Sequence, residues 1–199
     1  MGMIIEGITR DDHKKLYDAI EKEGNAYGIK KIKVNLVKDG FLIGSGINSL
    51  RISEEIPRIL SKSELEAALS HEFSHIVHHD PVRDAVMAIP FILFAISYPI
   101  LTRYITDTDL YLYIWLSLIV LALAYLTLCI LALHRWDRRS DRDAARKTSI
   151  SAMLGFLEMR KQHAKGIGLI HPSIDKRKKW LREDPDIKPA GGKASIGEK

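Results

Sequence analysis

A single cysteine, Cys129, stands among 199 residues. That excludes an intrachain disulfide framework and is compatible with a reducing compartment. Acidic residues are outnumbered, with 25 Asp and Glu against 30 Lys and Arg. Basicity of this kind can signal nucleic-acid binding, but no recognition motif accompanies it, so nucleic acid is not an expected partner. Much of the excess follows directly on a long apolar run, where it reads as charge flanking a membrane segment. A secretory signal is not expected, because the opening MGMIIEGITRDDHKK turns polar too soon. Gly2 lacks the downstream Ser or Thr that favours myristoylation. No internal repeat is present. The length suits one modest domain with membrane segments.

Charge is absent from residues 110–133, LYLYIWLSLIVLALAYLTLCILAL, a run long enough to cross a bilayer with some tilt. A shorter apolar run, AVMAIPFILFAISYPIL, occupies residues 85–101. Pro90 and Pro99 interrupt it, which membrane helices tolerate. The competing expectation is a buried helical pair in a soluble protein, but the second run exceeds an ordinary core helix. The basic segment HRWDRRSDRDAARK follows. The positive-inside rule places it, and with it the N-terminal part, in the cytoplasm.

The N-terminal third alternates in period. TRDDHKKLYDAIEKEGNAYG predicts a helix capped by Thr9 and ended at Gly28, with Leu16, Ala19, Ile20 and Ala26 inward. KIKVNLV has the two-residue period of a strand. Lys38-Asp39-Gly40 predicts a turn, GFLIGSG a returning second strand, and SLRIS a short third. The next helix, SKSELEAALSHEFSHIVHH, opens on a capping box from Ser61 with Glu64 or from Ser63 with Glu66. Leu65, Leu69, Phe73 and Ile76 form its apolar face, and Asp80-Pro81 bends or ends it. Beyond the apolar runs, DRRSDRDAARKTSISAMLGFLEMRKQHAKG and IHPSIDKRKKWLRE predict two helices, the latter begun by Pro172. A disordered tail is expected from 184 to 199.

Within the capped helix lies His71-Glu72-x-x-His75. Two histidines four apart share a helix face, so both imidazoles can reach one Zn²⁺ at about 2.0–2.1 Å. Glu72 then stands beside the remaining position and can take a proton from a polarised water. Such a site needs a third protein ligand. The bland alternative is a pair of surface histidines. For His78 and His79 a solvated or interfacial role is the stronger reading.

The segment ELEAALSHEFSHIVHHD resembles the M48 peptidases, the group that includes the HtpX-like membrane proteases and the CaaX prenyl proteases. That family places an Asp five residues after the second His, where Asp80 stands. Its third ligand is a Glu in the pattern R-x-x-E-x-x-A-D after membrane helices. Here the corresponding stretch is HRWDRRSD, with Asp137 in place of the Glu, Ser140 of the Ala, and Asp141 as the closing Asp. The resemblance therefore implies His71, His75 and Asp137 as metal ligands for one Zn²⁺ per chain, with Asp141 beside them holding a ligand histidine. A one-turn shift in register would exchange the two aspartates. For Asp137 the alternative is a salt bridge to the surrounding arginines. A later His-Pro-Ser segment of the family matches IHPSIDKR, which makes His171 a candidate oxyanion or substrate contact and Arg177 a second one. For His171 the alternative is a structural role at a helix start.

The likeness covers roughly residues 50–182 and is strongest to HtpX, in a short form lacking the two N-terminal membrane helices. The family's Asn-Ala-Phe edge-strand motif is replaced by DGFLIGSG. That strand can pair with an extended substrate or serve as an ordinary hairpin strand. The implied fold is α+β: a mainly helical, zincin-like metalloprotease domain with a small N-terminal β-sheet and an inserted two-helix transmembrane hairpin. Its parts are expected at 1–82 (with the HExxH helix), 83–134 (the hairpin), 135–183 (with the third ligand) and 184–199 (the tail). The implied function is a membrane zinc endopeptidase working at the cytoplasmic face on peptides or unfolded membrane proteins, in quality control, with the lipid bilayer as partner. The alternatives are a CaaX prenyl-type protease, or a non-catalytic membrane protein with a relic metal site.

Overall fold

The computed structural model describes residues 3–38, 40–104, 108–163 and 171–187. In chain order the elements are β1 (Ile4–Glu6), α1 (Lys14–Ala26), β2 (Lys31–Val37), β3 (Ile43–Gly46), β4 (Ser49–Ser53), α2 (Ile56–Ile59), α3 (Lys62–Val77), α4 (Asp80–Tyr104), α5 (Thr108–Lys147), α6 (Ile150–His163) and α7 (Ile174–Glu183). The protein is mainly helical with one four-stranded sheet.

Helix α1 starts later than the sequence suggests. Thr9 does not cap it; its hydroxyl bonds Asp12 in the preceding turn, and His13 precedes the helix without a side-chain cap. At the far end the stop before Gly28 is as expected, but Ala26, expected inward, is exposed, and Glu23 and Gly24 are buried instead. Gly28 adopts φ 71°, and the Ile29 N–H donates to the Gly24 carbonyl at 2.9 Å. A left-handed residue there lets the chain reverse and satisfies a terminal carbonyl.

The sheet order is β1-β2-β4-β3. Strand β3 does not return beside β2. It forms a tight hairpin with β4 through Ile47 and Asn48, the latter at φ 52°, and β4 lies parallel to β2. One reason is register: β4 contributes Leu50 and Ile52, both fully buried, whereas β3 buries Ile43. The central place goes to the strand with more apolar surface to bury, and β3 is left at an edge. Asp39 of the expected turn lies outside the described residues. Strand β1, three residues long, has too short a pattern to stand out in the sequence.

Leu16 and Ile20 of α1, Ile32 and Val34 of β2, and Leu50 and Ile52 of β4 share one core with Leu65, Leu69 and Phe73 of α3. Met153, Phe156 and Leu157 of α6 close it from the other side. Each such side chain contributes about 1.5–3 kcal/mol. Helix α3 is central: α1, β3, α5 and α6 all pack on it. It is therefore buried on every side, Ala67, Ser70 and Ser74 included, rather than along one apolar face.

Helix α5 is 40 residues long. It runs unbroken through residues 134 and 135, so the apolar run and the basic segment after it are one rod. Helices α4 and α5 lie antiparallel, with Phe91 against Tyr125 at 5.3 Å between ring centroids and Phe94 against Trp115 at 5.7 Å. Both are long and apolar enough to cross a membrane. None of the apolar window of α4 and only 6% of that of α5 is covered by protein. Among the described residues the two helices are therefore not a buried pair in the core of this chain.

Helix α7 is capped by Ser173, whose hydroxyl accepts from the Lys176 N–H, so Pro172 lies just before the cap. The packed region also extends beyond residue 183. Asp184 is buried on Arg142, and Ile187 joins the core. Residues 184–187 of the expected tail are thus packed, and residues 188–199 lie outside the described residues.

Candidate metal centre and cleft

Helix α3 begins with the Ser61–Glu64 capping box: the Glu64 N–H donates to Ser61 Oγ, and the Ser61 N–H to Glu64 Oε2 at 2.8 Å. Glu66, the alternative partner, instead pairs with Lys22 at 2.6 Å. At the other end His79 takes φ 57°, which turns the chain sharply into α4. Asp80 is thereby folded back beneath His75, and the two side chains meet at 2.9 Å between Nδ1 and Oδ2. Arg139 and Arg83 also bond Asp80. The arginine run thus supports Asp80 and not Asp137.

The His71 and His75 rings stand edge to face, centroids 4.7 Å apart, with their Nε2 atoms 3.2 Å from each other. Asp137 Oδ1 is 3.8 Å from His71 Nε2 and 3.6 Å from His75 Nε2. Donors at about 2.0–2.1 Å around a tetrahedral zinc lie about 3.3–3.4 Å apart. The three atoms form a triangle near that size, and two imidazoles with one carboxylate are a donor set zinc accepts. The residues present fit the ion.

Asp137 and Asp141 come from the charged C-terminal part of α5. Asp137, Ser140, Asp141 and Ala144 fall at helical spacing and all are buried. Small Ser140 and Ala144 let α5 approach α3 closely, and the two aspartates project to either side of His71. Asp137 reaches the Nε2 side of both rings. Asp141 lies 2.9 Å from His71 Nδ1, though poorly aligned for a hydrogen bond. It also receives both Arg177 donors, Nε at 2.8 Å.

These contacts set the charge states. Burial pushes the His71 imidazole toward its neutral form, against the pull of Asp141. Burial opposes charge on His75 too, but the carboxylates of Asp137 and Asp80 beside it outweigh burial and raise its pKa to about 9. Burial would raise Asp141, yet the Arg177 charge beside it holds its carboxyl down at about 2. Asp137 is likewise opposed by burial and held well below the usual carboxylate range by His171 and His75.

His71, Glu72, His75, Asp137 and His171 line one cleft of about 250 Å³, with β3 as its opposite wall through Ile43, Gly44 and Ser45. His171 Nδ1 lies 2.9 Å from Asp137 Oδ2, leaving Oδ1 toward the imidazoles. Arg177 is elsewhere. It is 1% exposed, lies beside His71 at 3.5 Å from Nε2, and does not line the cleft. His78 bonds the Ser74 carbonyl, and neither it nor His79 lines the cleft. Two cleft residues, Asp84 and Arg160, had no motif to announce them. Both lie at positions that read as ordinary solvated helix charge.

The sequence profile of peptidase family M48 matches residues 12–184. A protein named protease HtpX homolog from Bacteroides fragilis is 33% identical over 91 residues, 43% of this chain and 28% of the relative. Protease HtpX homolog 1 from Sulfurisphaera tokodaii is 36% identical over 104 residues, 48% of this chain and 33% of the relative. The chain spans no more than about a third of the length of the curated relatives it matches.

Proposed function

The chain belongs to peptidase family M48, and from that premise we propose that it is a membrane-anchored zinc endopeptidase of the zincin type. The observation that carries the reading is the convergence of His71 Nε2, His75 Nε2 and a carboxylate oxygen of Asp137 within 4.8 Å, with Glu72 in the same cleft. His71, His75 and Asp137 would hold one zinc ion per chain. Bound there, zinc supplies Lewis-acid polarisation of a scissile carbonyl and of a water.

The chain's own residues supply the rest. Glu72 takes the proton of the attacking water and passes it to the leaving amine. Asp80 and Asp141 hold the two imidazoles in orientation from their Nδ1 sides. His171 fixes the Asp137 carboxylate. With Nδ1 so occupied, it contacts substrate through Nε2 alone and donates there only as imidazolium. The edge of β3 offers backbone groups to an extended peptide.

The bilayer is the second partner. Helices α4 and α5 form a hairpin inserted in the protease domain, and the basic turns after Leu133 set the domain at the cytoplasmic face. Unfolded membrane proteins, met in quality control, are the substrate class suggested by the HtpX-like relatives. Because α5 is one rod, the third ligand is carried on the same helix that enters the lipid.

The test is metal content and proteolysis of detergent-purified protein. Wild type and Glu72→Gln are expected to hold equal zinc, with casein cleavage lost in the variant. Asp137→Ala is expected to lose the zinc. Zinc lost from Asp141→Ala but kept in Asp137→Ala would reverse the ligand assignment, and cleavage surviving Glu72→Gln would defeat the enzyme.

A further inference from the structure

Arg160 lies in the last turns of α6 and lines the cleft. The helix around it is fixed. Met153, Phe156 and Leu157 are fully buried. The next cation, Lys161, is paired with Asp175 at 2.8 Å, and His163 stacks on Phe41 at 5.6 Å between centroids. Arg160 is the exception: among the described residues nothing gives its guanidinium a hydrogen bond or an ion pair, although the side chain is partly buried.

Glu72 shares the cleft and attracts the Arg160 charge through space, with no hydrogen bond or ion pair between them, and two nearby aspartates are engaged elsewhere. Asp137 faces the imidazoles and His171, and Asp141 is held by Arg177. Asp84 lines the cleft without bonding Arg160. A guanidinium withdrawn from water without an acceptor is costly, and its planar fork of donors matches a carboxylate. A carboxylate that enters the cleft with a ligand would complete it.

We infer that Arg160 binds a carboxylate of the substrate and makes the cleft selective for negative charge beside the cleaved bond. The inference rests on the peptidase reading and names what that site recognises. The stack of His163 on Phe41 sets the end of α6 beside the start of β3, and Arg160 stands one turn from it. A peptide antiparallel to β3 brings its C-terminal side to that end. The carboxylate is therefore either an Asp or Glu side chain following the cleaved bond or the free C-terminus of a short peptide.

The probes are three fluorescent peptides of one sequence: neutral with an amidated end, amidated with one Glu, and neutral with a free carboxylate. Their binding to the full chain is read by anisotropy, with Glu72→Gln to prevent turnover. One carboxylate-bearing peptide is expected to bind about 10-fold tighter than the neutral amide, as a charge-assisted pair allows. The Glu peptide winning identifies a side-chain reader; the free carboxylate winning identifies a C-terminus reader. Adding Arg160→Gln erases the ratio, and Arg160→Lys, which keeps charge but loses the fork, reduces it. Equal binding of all three peptides, or a ratio that survives both substitutions, overturns the assignment. Cleavage of the same peptides by zinc-loaded wild type is followed in parallel. No cleavage beside a persistent ratio defeats the peptidase reading alone.

Discussion

Replacing Arg177 by Met should be among the most damaging substitutions in the chain. Arg177 and Asp141 are 1% and 2% exposed at the side chain, and the guanidinium meets both carboxylate oxygens. Removing one member leaves the other charge buried, with only His71 beside it. Breaking a pair of this kind costs about 3–5 kcal/mol, and burial leaves solvent little scope to screen the loss. For a chain of this size about 2–4 °C of midpoint accompanies each kcal/mol, so the thermal midpoint should fall by about 6–20 °C. The assay is a circular-dichroism melt in detergent with chelator present, so that metal binding does not mask the change. The double variant Arg177→Met with Asp141→Asn should recover part of the loss, with a coupling of about 1 kcal/mol or more. A fall below about 2 °C for Arg177→Met, or strict additivity in the double variant, would refute the claim that this pair stabilises the protein beside His71.

Asp80→Asn weakens the support of His75 Nδ1 and should lower zinc affinity about 10–100-fold, read by competition with a chromophoric chelator; unchanged affinity would remove Asp80 from the site. Ser61→Ala deletes half of the capping box of α3 and should cost about 1 kcal/mol in urea unfolding, with Glu64→Gln costing less. Glu23 is 4% exposed and burial raises its pKa above 4.5. A raised carboxylate destabilises the fold once ionised: the protein is relieved of that penalty below pH 4.5 and bears it in full above the folded-state pKa. Glu23→Gln should therefore raise the midpoint at pH 7 and have no effect near pH 4. An equal gain at both pH values would point to packing instead.

The parts of the fold that carry a local signal were legible. The HExxH helix has a capping box, a period and a motif in one stretch. The charge-free run of residues 110–133 needs only its length to be read as a long apolar helix. The order of strands had no such signal. A hairpin between β2 and β3 and an insertion of β4 between them use the same turns and the same alternation, and only competition for the core separates them. Nor did anything local show that α5 continues past the apolar run: the segment from Asp137 read as one separate helix, whereas its first part belongs to α5 and the break falls between Lys147 and Ile150. Among site residues, the two imidazoles came with their spacing, and Asp137 came only with a family likeness. Arg160 came with neither, because an arginine near a helix end is ordinary until its surroundings are known.

The amino-acid order by itself determined which residues can share a helix face: His71 with His75, and Asp137 with Asp141. Spacing along a helix is a matter of local geometry, and no other part of the chain is needed to state it. Which aspartate faces the Nε2 atoms was decided only when α5 packed on α3 through Ser140 and Ala144. The rotation of one helix against another depends on the whole contact between them, and that contact joins residues far apart in the chain.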